Sequence, residues 1–328
     1  MSSFKALVIN KVENEIIANT QQLNLNNLPQ GELFIKVAYS SVNYKDALAC
    51  LPNGGIVKSY PFVPGIDLAG TVVSSEDERF QEGDEIVVTG YGLGVNHFGG
   101  FSEYARVPAE WAIKLPQGLS MKEAMILGTA GFTAALSVYE LVQNGIRPED
   151  GPILVTGATG GVGSIAAAIA AKLGYEVAAS TGKLDKQQYL LDLGVKRILP
   201  REELLSGSKQ PLDKQIWAGA IDCVGGETLT AVLSQLKYGG TVAASGLTGG
   251  AGLSMTVYPF IIRGVRLIGI DSVMAGMEIR SKIWALLADA YKPSMLGELF
   301  SEISLEQVSD QVATLLNGQA KGRTIVKL

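Results

Sequence analysis

VTGATGGVGS, residues 155 to 164, decides how this chain folds. It opens inside ILVTG (153–157), an apolar, β-branched run with the composition of a buried strand. It runs on into SIAAAIAAKLG (164–174), an alanine-rich helical segment closed by Gly174. Between them lies a burst of glycine. A strand, a glycine turn and a helix start form an anion site. The first N–H groups of the helix lack internal partners, and the helix dipole favours negative charge there. Glycine lets a phosphate approach the backbone closely.

Outward from this point, strands and helices alternate. EVAAST (176–181) and DKQQYLLDLG (185–194) follow as strand and helix, and RILP, AGAIDCVG, GTVAASG and RLIGID are further apolar runs with helical segments between them. Six strands alternating with helices predict a parallel, doubly wound sheet. A helical stretch, KEAMILGTAGFTAALSVYELVQNG (122–145), precedes them. The first 122 residues read differently: FKALVI, ELFIKVAYSSV, LAGTVVSS, DEIVVTG and EYARVP are short strands cut by LPNGG, YPFVPGID, GYGLG and HFGG. That pattern predicts an antiparallel, barrel-like β domain. The chain ends on two helical stretches and a strand, GRTIVKL (322–328). A terminal strand needs a sheet to join, so the tail is expected to return to the first domain. The predicted organisation is residues 1–122 plus 272–328 as one domain and 123–271 as the other.

Composition narrows the partners. The chain has 328 residues, a net charge of −5 and 47% hydrophobic residues, with a mean hydropathy of +0.23 and a pI near 5.2. An extended basic surface for nucleic acid is not expected. No apolar run reaches about 18 residues without polar interruption, so no membrane span is expected. MSSFKALVINKVENE carries charge and asparagine too early for a signal peptide. The two cysteines, Cys50 and Cys223, sit in apolar surroundings and fit a reducing cytoplasm without a disulfide.

The glycine stretch fits two dinucleotide-binding signatures. Thr156, Gly157, Gly161 and Gly163 fit T-G-x-x-x-G-x-G, which resembles the short-chain dehydrogenases. Ala158, Gly160 and Gly163 fit A-x-G-G-V-G, which resembles the medium-chain dehydrogenase/reductases. Short-chain enzymes carry the loop near the N-terminus and use Tyr-x-x-x-Lys. Here about 150 residues precede the loop, and none of the 11 tyrosines has lysine four residues on. The medium-chain reading follows.

An NAD site places an acid on the ribose at the end of the second strand. Here that end reads Ser180-Thr181-Gly182-Lys183. Hydroxyls and a lysine suit a 2′-phosphate, which a carboxylate would repel. Arg197 and Arg201 flank the third strand as candidates for a second cation. NADP(H) is the expected cofactor; Asp185, just beyond the strand, keeps NAD(H) open.

Medium-chain alcohol dehydrogenases use a catalytic zinc held by Cys and His. Where those enzymes carry Gly-His-Glu, this chain has Gly65-Ile66-Asp67, and the first ligand segment reads Val42-Asn43-Tyr44-Lys45-Asp46. No metal is expected. The single histidine, His97, lies on a glycine-rich loop and reads as a hydrogen-bonded structural residue ahead of a catalytic one.

The chain resembles the zinc-free quinone oxidoreductase branch of the medium-chain family, and within it the bacterial group of acryloyl-CoA reductases and quinone oxidoreductases. SSVNYKDAL, PGIDLAGTV, GVNHFGGFSEYARV, ILGTAGFTAA, VTGATGGVG, WAGAIDCVG, IGIDSVM and GRTIVKL carry the resemblance across essentially the whole chain. It implies a GroES-like catalytic domain, a Rossmann domain and a cofactor cleft between them. It also implies cofactor contacts at Tyr44, Thr133, Thr159 to Val162 (through Gly160 and Gly161), Thr181 to Lys183, Arg201, Leu247, Ser272 and Asn317. A homodimer through the Rossmann sheet edge is implied too.

Without zinc, a conjugated carbonyl is a better substrate than an alcohol. Hydride would go to the β-carbon of an electrophilic acceptor such as an enoyl thioester, enone or quinone. Charge then develops on the carbonyl oxygen, and preorganised donors must stabilise it. Tyr44 is the first candidate for proton donor or oxyanion partner, weighed against a tyrosine that packs on the nicotinamide. Asn43 and Lys45 support it. Asp67 is expected to orient backbone and Lys45. Asp222 and Asp271, at carboxyl ends of strands, read first as turn caps. Three functions stay open: a reductase of a short enoyl-CoA such as acryloyl-CoA, a quinone reductase, and a non-catalytic NADPH-binding protein.

Overall fold

The computed structural model describes residues 3–206 and 210–328. The chain divides into two compact units, one of Met1–Thr129, Val273–Ala288 and Leu296–Leu328, the other of Ala130–Ser272 and Asp289–Met295. The first limit therefore falls after Thr129 and not at 122, and the second unit also takes residues 289–295.

The first unit is mainly β-strand. β1 (Ser3–Val12) and β2 (Glu15–Asn24) form an antiparallel hairpin. β3 (Leu33–Val42), β4 (Asp67–Ser75), β5 (Glu85–Thr89), β6 (Tyr104–Val107) and β7 (Ala112–Lys114) belong to a mixed sheet in which β3 pairs with both β4 and β6. In β3, Leu33, Ile35 and Val37 alternate inward onto Leu68, Val72, Ile86, Val88 and Val107. Each such buried side chain contributes about 1.5–3 kcal/mol. The period of two therefore fixes the register of β3. Between β3 and β4 lies a single short helix, α1 (Tyr44–Ala49).

α2 (Met121–Gln143) is two helices joined at Gly128, which has φ 52° and ψ −156°. The position admits only glycine. A Cβ there would stand 2.5 Å from Asp67 Oδ2 and 2.7 Å from Ser41 Oγ. By length and composition, α2 is apolar enough to cross a membrane, with mean hydropathy 1.5 over its best window, but 78% of that window is buried in protein. Scattered polar residues hide this in a search for uninterrupted apolar runs; averaging over a window reveals it.

The second unit is the Rossmann domain. β8 (Ile153–Thr156), β9 (Val177–Thr181), β10 (Arg197–Pro200), β11 (Trp217–Asp222), β12 (Leu236–Ala244) and β13 (Arg266–Gly269) form one parallel sheet in the order β10-β9-β8-β11-β12-β13. This is the predicted doubly wound sheet, its order reversing beside β8. α3 (Gly161–Lys172), α4 (Gln187–Asp192), α5 (Arg201–Ser206), α6 (Gly226–Gln235) and α7 (Tyr258–Arg263) connect the strands. Leu154, Ala178, Leu199, Trp217, Ala220, Leu233 and Val242 share the core. α3 buries Gly163, Ala166, Ala167 and Ala170. Small side chains let it approach the sheet closely.

The chain then returns to the first unit through α8 (Met277–Ala288), β14 (Phe300–Ser304), α9 (Val308–Leu316) and β15 (Arg323–Lys327). β15 pairs antiparallel with β3, Thr324 opposite Val42, as the terminal strand predicts. β14 pairs parallel with β15. It was not legible in the sequence. FSEIS (300–304) has two apolar residues at a spacing of three, which is no strand period.

Candidate active site

In the first unit the site is built where β3 ends. Asn43 has extended φ/ψ (−122°, 161°) and starts α1. Asp46, three residues on, returns its Oδ2 to the Asn43 backbone N–H at 2.8 Å. This is the reciprocal half of a capping box. The Asn43 side-chain Nδ2 donates to Asp67 Oδ2 at 2.8 Å. Tyr44 follows as the first helical residue and is 48% exposed.

Asp67, the first residue of β4, is fully buried. It accepts from Ser41 Oγ at 2.6 Å, from Thr129 Oγ1 at 2.5 Å and from Thr129 N at 3.0 Å. Arg323 Nη2 lies 3.8 Å from Asp67 Oδ2. The same guanidinium donates to Ser41 Oγ at 2.8 Å, Asn43 Oδ1 at 3.1 Å, Val42 O at 3.2 Å and Ile126 O at 3.1 Å. Only a guanidinium fork can hold four acceptors in one plane.

Asp46 accepts from Ile66 N at 2.9 Å. Burial, then the charge of Asp67, pushes the Asp46 carboxyl up to about 7, against the N–H bonds from Asn43 and Ile66. Burial pulls the Arg323 guanidinium down, and Asp67 and Asp46 push it back up. Burial is the largest cause of both directions, since it disfavours the charged form of each group.

The arrangement corrects one expectation. Asp67 orients backbone, through Thr129 N–H, but its side-chain partners are Ser41, Asn43, Thr129 and Arg323, and Lys45 is not one of them. Lys45 follows Tyr44 on α1 and is half-buried. Arg323, Ser41, Thr129 and Asp46 were missed as site residues although their stretches had been singled out. No local pattern says that residue 323 returns beside residue 43. The donor set is also wrong for zinc: the Asp46 and Asp67 oxygens already take N–H and O–H donors, and a cation would have to displace Arg323.

His97 Nε2 lies 2.6 Å from Arg106 O, and its ring meets Trp111 edge-on at 5.2 Å. Burial holds its pKa down. It is a structural, hydrogen-bonded histidine.

In the second unit, Gly157 turns the chain after β8 with φ 59°. Ala158, in place of the usual first glycine, is buried and donates its N–H to Ser180 O at 3.2 Å. Gly160 is the N-cap of α3, followed by Gly161, Val162 and Gly163. A Cβ on Gly163 would stand 2.6 Å from Gly157 O and 2.8 Å from Ala158 Cα. The cradle is thus closed by backbone, and the leading N–H groups of α3 have no helical partners. A dinucleotide pyrophosphate fits this cradle.

At the end of β9, Ser180 and Thr181 are buried. Thr159 Oγ1 and Thr181 Oγ1 are 3.3 Å apart, and Thr181 Oγ1 accepts from Lys183 N at 3.0 Å. A Cβ on Gly182 would stand 3.2 Å from Arg201 Nη2, so the Arg201 guanidinium lies beside that glycine. Burial pulls the Lys183 ammonium down; Lys186 and Arg201 add to this and Asp185 opposes it. Asp185 is paired with Lys186 at 2.7 Å. Arg197 pairs instead with Glu203 at 3.5 Å and lies over Trp217, so the second cation beside Lys183 is Arg201 and not Arg197.

Asp222 accepts from Thr156 Oγ1 at 2.6 Å and Gly225 N at 2.7 Å, which makes it a turn cap. Thr133 is buried on α2, Leu247 is 66% exposed after β12, and Ser272 is half-buried. In the first unit, Asn317 is the exposed C-cap of α9. A concavity of about 730 Å³ beside Gly226 and Glu227 contains none of these residues.

Residues 29–117 match the alcohol dehydrogenase GroES-like domain, and residues 161–289 match the zinc-binding dehydrogenase domain. YhfP of Bacillus subtilis, provisionally named a quinone oxidoreductase, is 50% identical over 99% of each chain. The chain belongs to the quinone oxidoreductase group of the medium-chain dehydrogenase/reductase family. By that membership it is an oxidoreductase. A crystal structure of the Bacillus subtilis protein with NAD bound superposes with TM-score 0.98, at 50% identity and full coverage of both chains. The yhdH oxidoreductase of Salmonella enterica, in complex with NADP, has TM-score 0.96 and 48% identity over 99% of each chain. Acrylyl-CoA reductase AcuI of Ruegeria pomeroyi is 49% identical over 98% of each chain. The family's GroES-like and Rossmann domains are the two units described above.

Proposed function

We propose that this chain is a cytoplasmic, NADPH-dependent, metal-free reductase. It delivers hydride to the β-carbon of an activated double bond, in a short enoyl-CoA such as acryloyl-CoA. The observation that carries the reading is the acid-free end of β9. Ser180, Thr181 and Lys183, with Arg201 beside Gly182, offer hydroxyls and two cations where an NAD site has a carboxylate. The relatives with NADP bound and the relative named acrylyl-CoA reductase support it.

Bound NADPH supplies two electrons as hydride. The N–H groups of Gly161, Val162 and Gly163 would hold pyrophosphate, with the Gly160 N–H closing the turn onto Gly157 O at 2.9 Å, and Lys183 and Arg201 would hold the 2′-phosphate. Thr133, Leu247, Ser272 and Asn317 are family-derived contacts to the same cofactor. As hydride adds to the β-carbon, the carbonyl oxygen takes negative charge, and the exposed Tyr44 hydroxyl stabilises it or delivers the proton that completes the saturated thioester. Asn43 and Asp67, locked by Arg323, keep the start of α1 in place.

The second reading, NAD(P)H:quinone oxidoreductase, is favoured by the name of the Bacillus relative and its bound NAD. A homodimer fits the Rossmann sheet, whose edge strand β13 follows α7 in the chain, where Val257, Tyr258, Ile261 and Ile262 are exposed. NADPH and NADH oxidation is measured against acryloyl-CoA, crotonyl-CoA, an enone and a benzoquinone. Acryloyl-CoA turnover with NADPH is expected. Turnover of quinone alone selects the second reading. No turnover with any acceptor, alongside NADPH binding, leaves a non-catalytic NADPH-binding protein.

A further inference from the structure

Within the Rossmann unit, strand order reverses between β8 and β11, and doubly wound sheets bind ligands in the crevice that such a reversal opens. The two strands pair in register up to Val155 opposite Ile221. The next residues are Thr156 and Asp222, the last of each strand, and both are fully buried. Thr156 Oγ1 donates to Asp222 Oδ1 at 2.6 Å and accepts from Cys223 N at 3.0 Å. Asp222 Oδ2 accepts from Gly225 N at 2.7 Å, and its backbone O accepts from Ser245 N at 2.9 Å.

Asp222 therefore ties three loops beyond the carboxyl ends of β8, β11 and β12. They are the glycine cradle that begins after Thr156, the turn at 223–226, and the segment that starts at Ser245. The last two also interlock directly. Gly249 N donates to Val224 O at 2.7 Å, and a Cβ on Gly225 would stand 2.6 Å from Gly250 O. Burial pushes the Asp222 carboxyl up, against bonds from Thr156, Gly225 and Val224, and no cation among the described residues offsets that burial. A turn cap alone does not call for a buried charge, because asparagine or serine caps a turn as well.

A doubly wound sheet consists of two mononucleotide-binding halves. Lys183 and Arg201 follow β9 and β10, in the first half; the turn at 223–226 and the segment from Ser245 follow β11 and β12, in the second. We propose that Asp222 is a positioning residue for the nicotinamide half of NADP(H), holding the turn at 223–226 and the segment after β12 against the glycine cradle. The inference rests on the cofactor reading above and not on the choice of acceptor.

The test measures the Kd of the full chain for NADPH and for adenosine 2′,5′-bisphosphate by titration calorimetry. The second ligand keeps the 2′-phosphate and lacks the pyrophosphate and the nicotinamide. Asp222→Asn and Thr156→Val should each weaken NADPH about fivefold or more while adenosine 2′,5′-bisphosphate stays within about twofold. Thr156→Ser keeps the hydroxyl and should match wild type for both ligands. A change below about twofold for NADPH in either folded variant, or equal weakening of the two ligands, overturns the inference. So does a Thr156→Ser protein that behaves like Thr156→Val. Loss of the fold in both Asp222→Asn and Thr156→Val marks the tie as structural and overturns it too. Wild type that does not bind NADPH overturns the cofactor reading and the inference with it.

Discussion

Asn43 and Asp67, 24 residues apart in sequence, are joined by a 2.8 Å hydrogen bond from the Asn43 side-chain amide to Asp67 Oδ2. This bond ties the N-terminus of α1 to the first residue of β4. Tyr44, the next residue, inherits its position from it.

Arg323 balances the two buried carboxylates and fixes both partners of that bond. Arg323→Met should destabilise the fold by about 3–5 kcal/mol, because Asp46 and Asp67 would be left buried without a cation. Arg323→Lys should recover little of this, since one ammonium cannot reach Ser41, Val42, Asn43 and Ile126 together. Urea unfolding midpoints of the three proteins check it; a midpoint for Arg323→Met equal to wild type would refute the balance.

Asp46 gives stability a pH dependence. Its carboxyl is raised from 3.8 to about 7 in the folded chain. The folded state therefore holds a proton that the unfolded state has released. The contribution is fully present below about pH 4 and is lost as pH rises to about 7, amounting to up to about 4 kcal/mol. Melting temperature should fall over that window in wild type. In Asp46→Asn the fall should be much flatter, even though an amide facing the Ile66 and Asn43 N–H groups lowers stability overall.

Lys183 should set cofactor choice. Lys183→Glu should lower kcat/KM for NADPH about tenfold to a hundredfold and leave NADH within about threefold. Equal losses for both cofactors would mean that Lys183 does not read the 2′-phosphate.

Gly163→Ala should destabilise the Rossmann unit by about 1–3 kcal/mol and weaken cofactor binding. The new Cβ meets backbone at 2.6 and 2.8 Å, and neither Gly157 nor Ala158 can swing aside as a side chain would. Calorimetry with and without NADPH separates the two effects.

Tyr44→Phe keeps the ring and deletes the hydroxyl. A proton-delivering or charge-stabilising role predicts a fall in kcat of about a hundredfold with little change in Kd for NADPH. An unchanged kcat would leave Tyr44 as a packing residue.

The six-stranded alternation, the glycine cradle, the terminal strand and the Ser180–Lys183 end of β9 were legible because each is a local signal. Periodicity, φ freedom and short-range charge act over a few residues, and sequence order preserves them. β14 escaped because its pairing with β15, not its own pattern, makes it a strand. At the Gly128 break in α2, Thr129 N turns to Asp67, which lies far from it in sequence.

The sequence by itself determined the Rossmann sheet, the β-rich partner unit, the phosphate cradle and the candidate Tyr44. Only the tertiary structure decided what Asp67 does, that Arg201 and not Arg197 stands beside Lys183, and that Arg323, Thr129 and Ser41 hold the start of α1. The physical reason is that a buried charge must find its partners wherever the fold brings them. Asp67 meets its partners across strand pairs and a returning C-terminus, at separations no local pattern encodes.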